Sequence, residues 1–343
     1  MIIDDKNKRK REIVLVAVDE FIKNAQPITS GGLNKHFKDI SSATIRNELN
    51  ALESMGYLKQ LHTSGGRVPT SLAYKEYVNS LLENDKIDTK AIQKVLSSYE
   101  DKSVSLISTL STLAKRLSRV TNCPTVLVQH GLQNLSIVNI QIIPLIQKDA
   151  LLLVETNAGI IDDNIALDSN IDRSACLEAS DYLTKHFKGR TIGYLIDNIS
   201  SICLKAGAQI LQFKDLIESV ADTLIQVIKT KCDVTNENPT KMLDGLSKVE
   251  FDDTKNVFEF LENDDNIINV VTASDNNLNF TIGDETSDNL KGGMLMSAPI
   301  VINGVPIASL ALVGPKRIDY ANVAAALKFI VSQIDNLKGD NNG

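Results

Sequence analysis

The chain has 343 residues, 43% of them hydrophobic and 23% charged, a balance that excludes a disordered chain and leaves room for two or three domains with their own cores. Its net charge of −7 hides an asymmetry: residues 1–80 hold 12 Lys+Arg against 9 Asp+Glu, a net of +3, while the remainder holds 24 against 34, a net of −10. Phosphate contacts dominate nucleic-acid affinity, so the sign of one domain outweighs the total, and the average does not exclude a nucleic-acid partner for the first 80 residues.

The N-terminal MIIDDKNKRKRE has basic residues but no apolar stretch behind them, so no signal peptide is expected and the chain is read as cytoplasmic. Arg11 to Lys23 reads as a helix whose buried side is Ile13, Val14, Val16, Ala17, Val18, Phe21 and Ile22. Gln26-Pro27-Ile28-Thr29-Ser30 then leads into a short second helix through Leu33 and Phe37. In the third, Ser41 or Ser42 caps the N-terminus, Ile45, Leu49, Leu52 and Met55 recur at helical spacing, and Gly56 supplies the stop. The opposite face carries Ser42, Thr44, Arg46, Asn47 and Asn50, hydrogen-bonding side chains near a helix start, where a major-groove helix makes its base contacts. Arginine suits guanine and asparagine suits adenine. Tyr57 to Gln60 is a strand-like exit, and His62-Thr63-Ser64-Gly65-Gly66-Arg67 a turn-forming tip whose arginine lies along a phosphate backbone or enters a minor groove. Three helices and a basic wing make a winged helix-turn-helix, with Ser41, Ser42, Thr44, Arg46, Asn47, Asn50, His62, Thr63, Ser64 and Arg67 as its DNA-binding candidates. The competing structural reading is a short amphipathic helix that merely packs.

Residues 83–90 are polar and read as a linker. Ile92, Leu96, Tyr99, Leu106, Leu110, Leu113, Leu117 and Val120 fall at spacings of four and three, with Ser103 filling the missing position, which predicts a long helix ended by Cys123-Pro124. Its stripe serves equally as a dimer seam or as packing on its own domain. Thr125 to Gln129, Ser136 to Pro144, Ala150 to Glu155 and Ile160 to Leu167 read as a β-meander with a turn at Asn157 to Gly159. Helices are expected at Cys176 to Phe187, Ile199 to Ala208, Leu216 to Ile228 and Asn256 to Leu261, and strands at Ile267 to Thr272 and Asn279 to Ile282.

Met294 to Pro315 lacks any charge and is long enough to span a membrane. Pro299, Pro306 and a central Asn303-Gly304 argue instead for a hairpin of two buried strands, 296–302 and 305–313. A last helix capped by Asp319 carries Tyr320, Val323, Leu327, Ile330, Ile334 and Leu337 inward.

Little else points to chemistry. Cys123, Cys176, Cys203 and Cys232 stand more than twenty residues apart with no CxxC and no nearby histidine pair, so they read as free thiols in a reducing cytosol. The acidic pairs 162–163, 252–253 and 264–265 lack a partnering histidine or a calcium-loop spacing, His36, His62, His130 and His186 are scattered, and Gly292-Gly293 lacks the Lys-Ser/Thr of a phosphate loop. No metal, cofactor or enzymatic activity is expected.

Ser41 to Asn47 (SSATIRN), Leu52-Glu53, Gly56-Tyr57-Leu58, His62 to Thr70 and Tyr74 to Val78 resemble the HrcA family of heat-inducible transcription repressors. Ile282-Gly283-Asp284-Glu285 and Gly314-Pro315-Lys316-Arg317 with Tyr320 and Val323 extend the resemblance over nearly the whole chain. It departs at Leu61, where proline is usual, and at Ala73 and Lys75, where glycine and arginine are usual. The resemblance implies an α+β multidomain chain: a winged-helix domain at 1–82, a GAF-like domain at 91–170 and 236–343, and a mainly helical dimerising domain inserted at 171–235. It also implies a homodimer on double-stranded DNA at the inverted-repeat CIRCE operator, repressing the GrpE-DnaK-DnaJ and GroE operons until heat relieves it, with the GroE chaperonin as partner. The alternative expectation is a metabolite-gated winged-helix regulator that senses a ligand through its GAF-like domain.

Overall fold

The computed structural model describes residues 8–60, 66–83, 105–145, 149–166, 172–205, 214–237, 248–272, 278–283 and 290–336. His62, Thr63 and Ser64, and the expected helical positions Ile92, Leu96, Tyr99 and Ser103, lie outside them.

Helices α1 (Lys8–Asn24), α2 (Ser30–Asn34), α3 (Ser42–Ser54) and α4 (Ser71–Glu83), with the antiparallel strands β1 (Leu58–Gln60) and β2 (Arg67–Pro69), form an N-terminal unit. Its core is Ile13, Val14, Ala17 and Val18 from α1, Leu33 from α2, Ile45, Leu49 and Leu52 from α3, and Tyr74 and Val78 from α4. The α3 stop is a Schellman motif: Gly56, at φ +80°, donates to the Glu53 carbonyl at 3.0 Å and Tyr57 to the Leu52 carbonyl at 2.9 Å. Met55, expected inward, is 42% exposed. The helix has already ended at Ser54, and Tyr57 and Leu58 fill that end of the core. Phe37 likewise falls beyond α2, between two turns.

Within this unit Glu76 of α4 is a buried charge. Arg11 reaches it from α1, with Nε 2.5 Å from Oε1, and places a second guanidinium nitrogen 2.8 Å from Glu83 Oε2.

The remaining elements build two sheets. A five-stranded, wholly antiparallel sheet runs in the order β7 (Lys231–Thr235), β3 (Thr125–Gln129), β10 (Val305–Pro315), β9 (Gly293–Ile302), β8 (Asn279–Ile282). Helices α5 (Leu106–Thr121) and α11 (Tyr320–Asn336) cover one face; α9 (Lys248–Leu261) and α10 (Asp264–Thr272) cover the other. Leu127, Met294, Met296, Leu310 and Leu312 serve the first face, and Val126, Val128, Leu295, Ala311 and Val313 the second. A sheet buried on both sides leaves no solvated face for charged residues, which is why 294–313 is uncharged without being a membrane span. No helix among the described residues is long and apolar enough to cross a membrane. The hairpin turn is the one expected, with Asn303 at φ +51° and Gly304 at +80°.

Leu106, Leu110, Leu113 and Leu117 of α5 are buried against this sheet and α11, so the described part of that stripe packs on its own chain. The segment 267–272 corrects an expected strand. Asn263 starts a helix there, accepting from the Asn266 amide at 3.0 Å, Asp264 and Asp265 occupy the first turn, and Ile267 and Val271, four apart, face the sheet together.

The second sheet is the three-stranded meander β4 (Ile137–Pro144), β5 (Asp149–Thr156), β6 (Gly159–Ala166). The expected meander therefore loses 125–129, which pairs with β7 and β10 instead. One face of the meander packs on α6 (Arg173–Phe187) and α8 (Lys214–Ile228), while α7 (Ile192–Lys205) lies against α8. Hydroxyls from α6 also close the β4 edge: the Ile140 amide donates to Thr184 Oγ1 and the Ile142 amide to Ser180 Oγ, both at 2.9 Å. Satisfying those edge amides suppresses strand addition there. The chain leaves the five-stranded sheet after Gln129 and returns at Lys231, so everything packed around the meander is interposed between adjacent strands β3 and β7.

Arg11→Ala leaves the Glu76 carboxylate buried without its partner, which costs about 3–5 kcal/mol. Hydrogen exchange of the α1 and α4 amides measures that loss in the unit concerned, and Arg11→Met combined with Glu76→Leu recovers most of it because the lone charge is gone.

Candidate nucleic-acid interface

Burying Ile45, Leu49 and Leu52 turns Ser42, Arg46, Asn47 and Asn50 outward along one exposed face of α3. Ser41 is the N-cap: its hydroxyl accepts from the Thr44 amide at 3.1 Å and lies 2.9 Å from Thr44 Oγ1. These two hydroxyls are thus committed to starting the helix, and Thr44 is only partly exposed.

Several cations of the N-terminal unit are already paired. Lys10 lies 3.3 Å from Glu48, Lys23 2.6 Å from Asp19, and Lys35 and His36 2.9 and 2.8 Å from Glu20. The Lys35 and His36 contacts hold the Glu20 carboxyl below the usual carboxylate range. Arg46 makes no ion pair with any described residue, so it is the arginine of α3 available for an outside contact.

Arg67 departs from its expected place. It sits in β2 rather than at the tip, with a side chain only 14% exposed. Its Nε donates to Glu53 Oε2 at 2.7 Å and its Nη2 to Asn50 Oδ1 at 2.5 Å. The backbone is held as well: Arg67 N donates to Ile28 O at 2.9 Å, and Ile28 N to Arg67 O at 2.7 Å. Beside it, Gly66 runs so close to residues 27–28 that a Cβ would come 2.7 Å from Pro27 Cβ and 2.8 Å from Ile28 O. Glu53, named in the sequence only within the Leu52-Glu53 motif, stands three residues after Asn50, so both reach Arg67 from one side of α3.

The N-terminal unit meets the remainder through aromatic side chains. The ring centroids of Tyr74 and Tyr77 on α4 lie 5.8 and 6.3 Å from that of Tyr320 at the start of α11. Tyr320 Oη is fully buried and donates to Lys316 O at 2.6 Å, and burial raises its pKa well above the ordinary tyrosine value. Arg317 donates to Ile22 O at 3.4 Å. Asp19, Lys23, Tyr77, Arg317, Asp319 and Tyr320 line a cavity of about 300 Å³ at this junction. Two motif groups more than 200 residues apart in the chain, Tyr74 to Val78 and Gly314 to Val323, therefore form one contact.

Comparison with known proteins defines the class. Residues 107–324 match the family profile described as the HrcA protein C-terminal domain, in one run that includes both the five-stranded sheet and the interposed meander. The heat-inducible transcription repressor HrcA of Natranaerobius thermophilus is 30% identical over 96% of this chain and 95% of its own. That of Clostridioides difficile is 30% identical over 94% and 97%. A crystal structure of a hypothetical protein at 2.2 Å resolution shares the fold, with a TM-score of 0.68 and 21% identity over 96% of this chain and 98% of that one. The class is thus a transcription repressor. The chain belongs to the HrcA family of heat-inducible transcription repressors.

Gly66→Ala is expected to push β2 away from residues 27–28 at a cost of about 1–3 kcal/mol, since a methyl has no room there. Exchange of the Ile28 and Arg67 amides, which bond each other's carbonyls, reports the separation.

Proposed function

We propose that the chain is the homodimeric repressor of the chaperone operons, binding the inverted-repeat CIRCE operator to block transcription of the GrpE-DnaK-DnaJ and GroE operons until heat relieves it. The observation that carries the DNA contact is the exposed Ser42, Arg46, Asn47 and Asn50 face of α3, opposite the buried Ile45, Leu49 and Leu52. In this reading residues 1–82 are the winged-helix domain, α2 and α3 its helix-turn-helix, and β1–β2 its wing. The five-stranded sheet with its flanking helices is the GAF-like domain. The meander packs on α6 and α8, which supports an inserted dimerising domain that takes in β4–β6 as well as residues 171–235.

Dimer formation is supported by apolar exposure on that insertion. Val138, Ile143 and Leu145 are 37%, 40% and 48% exposed along and just after β4. Such a cluster is covered by self-association more readily than left in water. A protein two-fold axis in turn demands a palindromic operator, with the two α3 faces in successive major grooves. The GroE chaperonin comes from the family resemblance: it maintains active repressor, and chaperonin loaded with heat-damaged chains leaves the repressor inactive. A native state only a few kcal/mol from unfolding suffices for that response. The metabolite-gated alternative needs a pocket beneath the larger sheet, where Met294, Met296, Leu310 and Leu312 are packed against α5 and α11.

Footprinting on the cell's own chaperone promoters is expected to show two protected half-sites related by a two-fold axis. Arg46→Ala costs about 1–3 kcal/mol at one operator position and brings operator and scrambled DNA closer in affinity; unchanged discrimination would reject Arg46 as a reader. Purified repressor is expected to lose operator binding at heat-shock temperature and regain it with chaperonin. Binding that persists well above that temperature without chaperonin would count against the chaperonin link.

A further inference from the structure

The junction between the N-terminal unit and the larger sheet joins two parts that are each held internally. On the sheet side, the segment leading into α11 is fastened at several points. Lys316 N donates to Gly292 O at 3.3 Å, Tyr320 Oη to Lys316 O at 2.6 Å, and Asn322 N to the capping Asp319 at 3.0 Å. Asn322 Nδ2 donates to Val120 O, at the end of α5, at 3.5 Å. On the other side, Arg11 and the buried Glu76 bind α4 to α1, and Tyr74 and Val78 of α4 lie in the core that also holds α3. Between the two parts stands Tyr320, 1% exposed, with its ring tilted 44° to that of Tyr74 and 65° to that of Tyr77. Arg317 bonds the Ile22 carbonyl near the end of α1. Contacts to two different helices at three residues resist tilting of the N-terminal unit as well as sliding.

We infer that this junction sets the half-site spacing that the repressor accepts in its operator, with Tyr320 as the positioning residue. The inference rests on the proposal that two chains associate through the domain inserted in the larger sheet and place one α3 each on an inverted repeat. In that arrangement the distance between the two α3 helices is transmitted within each chain, from the dimer contact through the larger sheet and α11 to the junction. A unit of roughly eighty residues has a radius of gyration of about 12 Å, so a tilt of about 10° at the junction moves its far side by about 4 Å. That exceeds the ~3.4 Å rise of one base pair. Adding one base pair to the spacer also rotates one half-site by about 35° around the DNA axis. A held junction rejects such an operator, and a loosened one follows it, because flexibly joined binding modules lose their dependence on spacing. Base choice within each half-site stays with α3; the junction contributes the spacing.

The test takes the operator recovered by footprinting, lengthens or shortens its spacer one base pair at a time, and measures the affinity of the full-length protein for each version and for a single half-site. Tyr320→Ala would hollow a buried contact, so Tyr77→Ala and Arg317→Ala, both at half-buried positions, carry the test. Arg317→Ala decides alone if Tyr77→Ala does not fold. Tyr320→Phe, which keeps the ring, is the conservative control. The wild type is expected to lose about 10-fold or more in affinity one base pair away from its best spacing, and the two variants about 3-fold or less. Both variants bind the single half-site as the wild type does, and Tyr320→Phe keeps the wild-type spacing preference. Variants that retain the sharp preference, or a wild type indifferent to spacing, overturn the inference. An equal loss on half-site and full operator does so too, marking the junction as support for folding alone. If the wild type binds an inverted repeat no better than a single half-site, the dimeric-repressor reading falls, and this inference with it.

Discussion

Burial of Ile45, Leu49 and Leu52 against α1 sets the rotation of α3, and the rotation sets which side chains meet the outside. Leu49 and Asn50 are neighbours in sequence but lie roughly 100° apart around the helix, so one is fully buried and the other exposed. The framework that holds this rotation is itself held at both ends. Arg11 ties α1 to α4 through the buried Glu76, and the Schellman stop at Gly56 returns the chain so that Tyr57 and Leu58 close the core. With β1 directed by that turn, β2 is brought across α3, and Arg67 meets Asn50 and Glu53. The exposed face of α3 and the placement of β2 are consequences of the same packing.

Charge distribution sharpens the same surface. The basic excess of the first 80 residues is small, and local carboxylates pair with Lys10, Lys35 and Arg67. What remains is a face whose information lies in a few directed hydrogen bonds, with Arg46 as its free arginine among the described residues.

The aromatic junction links this unit to the sheet domains. Tyr320 is buried where α4 meets the start of α11, so the N-terminal unit packs directly on a helix that covers the larger sheet. The same larger sheet is filled on both faces, which gives the chain its longest apolar run, and the meander with its helices is inserted between two of its adjacent strands.

Much of this was legible in the residues. The helical spacing of Ile45, Leu49 and Leu52, the cap at Ser41, the Gly56 stop, the Asn303-Gly304 hairpin and the Asp319 cap are local signals, each set by a few neighbouring residues, and each is found where expected. The misreadings share one cause, since they depend on what lies across space. The β-branched run at 267–272 is helical because Asn263 caps it and the sheet accepts Ile267 and Val271 from one side. Residues 125–129 leave the meander because their partners, β7 and β10, lie more than 100 and 170 residues further on. Within the candidate site, sequence alone determined that Ser42, Arg46, Asn47 and Asn50 share one face, because helical periodicity fixes angular position. Only the tertiary structure decided that Arg67 turns inward to Glu53 and Asn50, because that contact joins a strand to a helix through a turn and a core that no local pattern encodes.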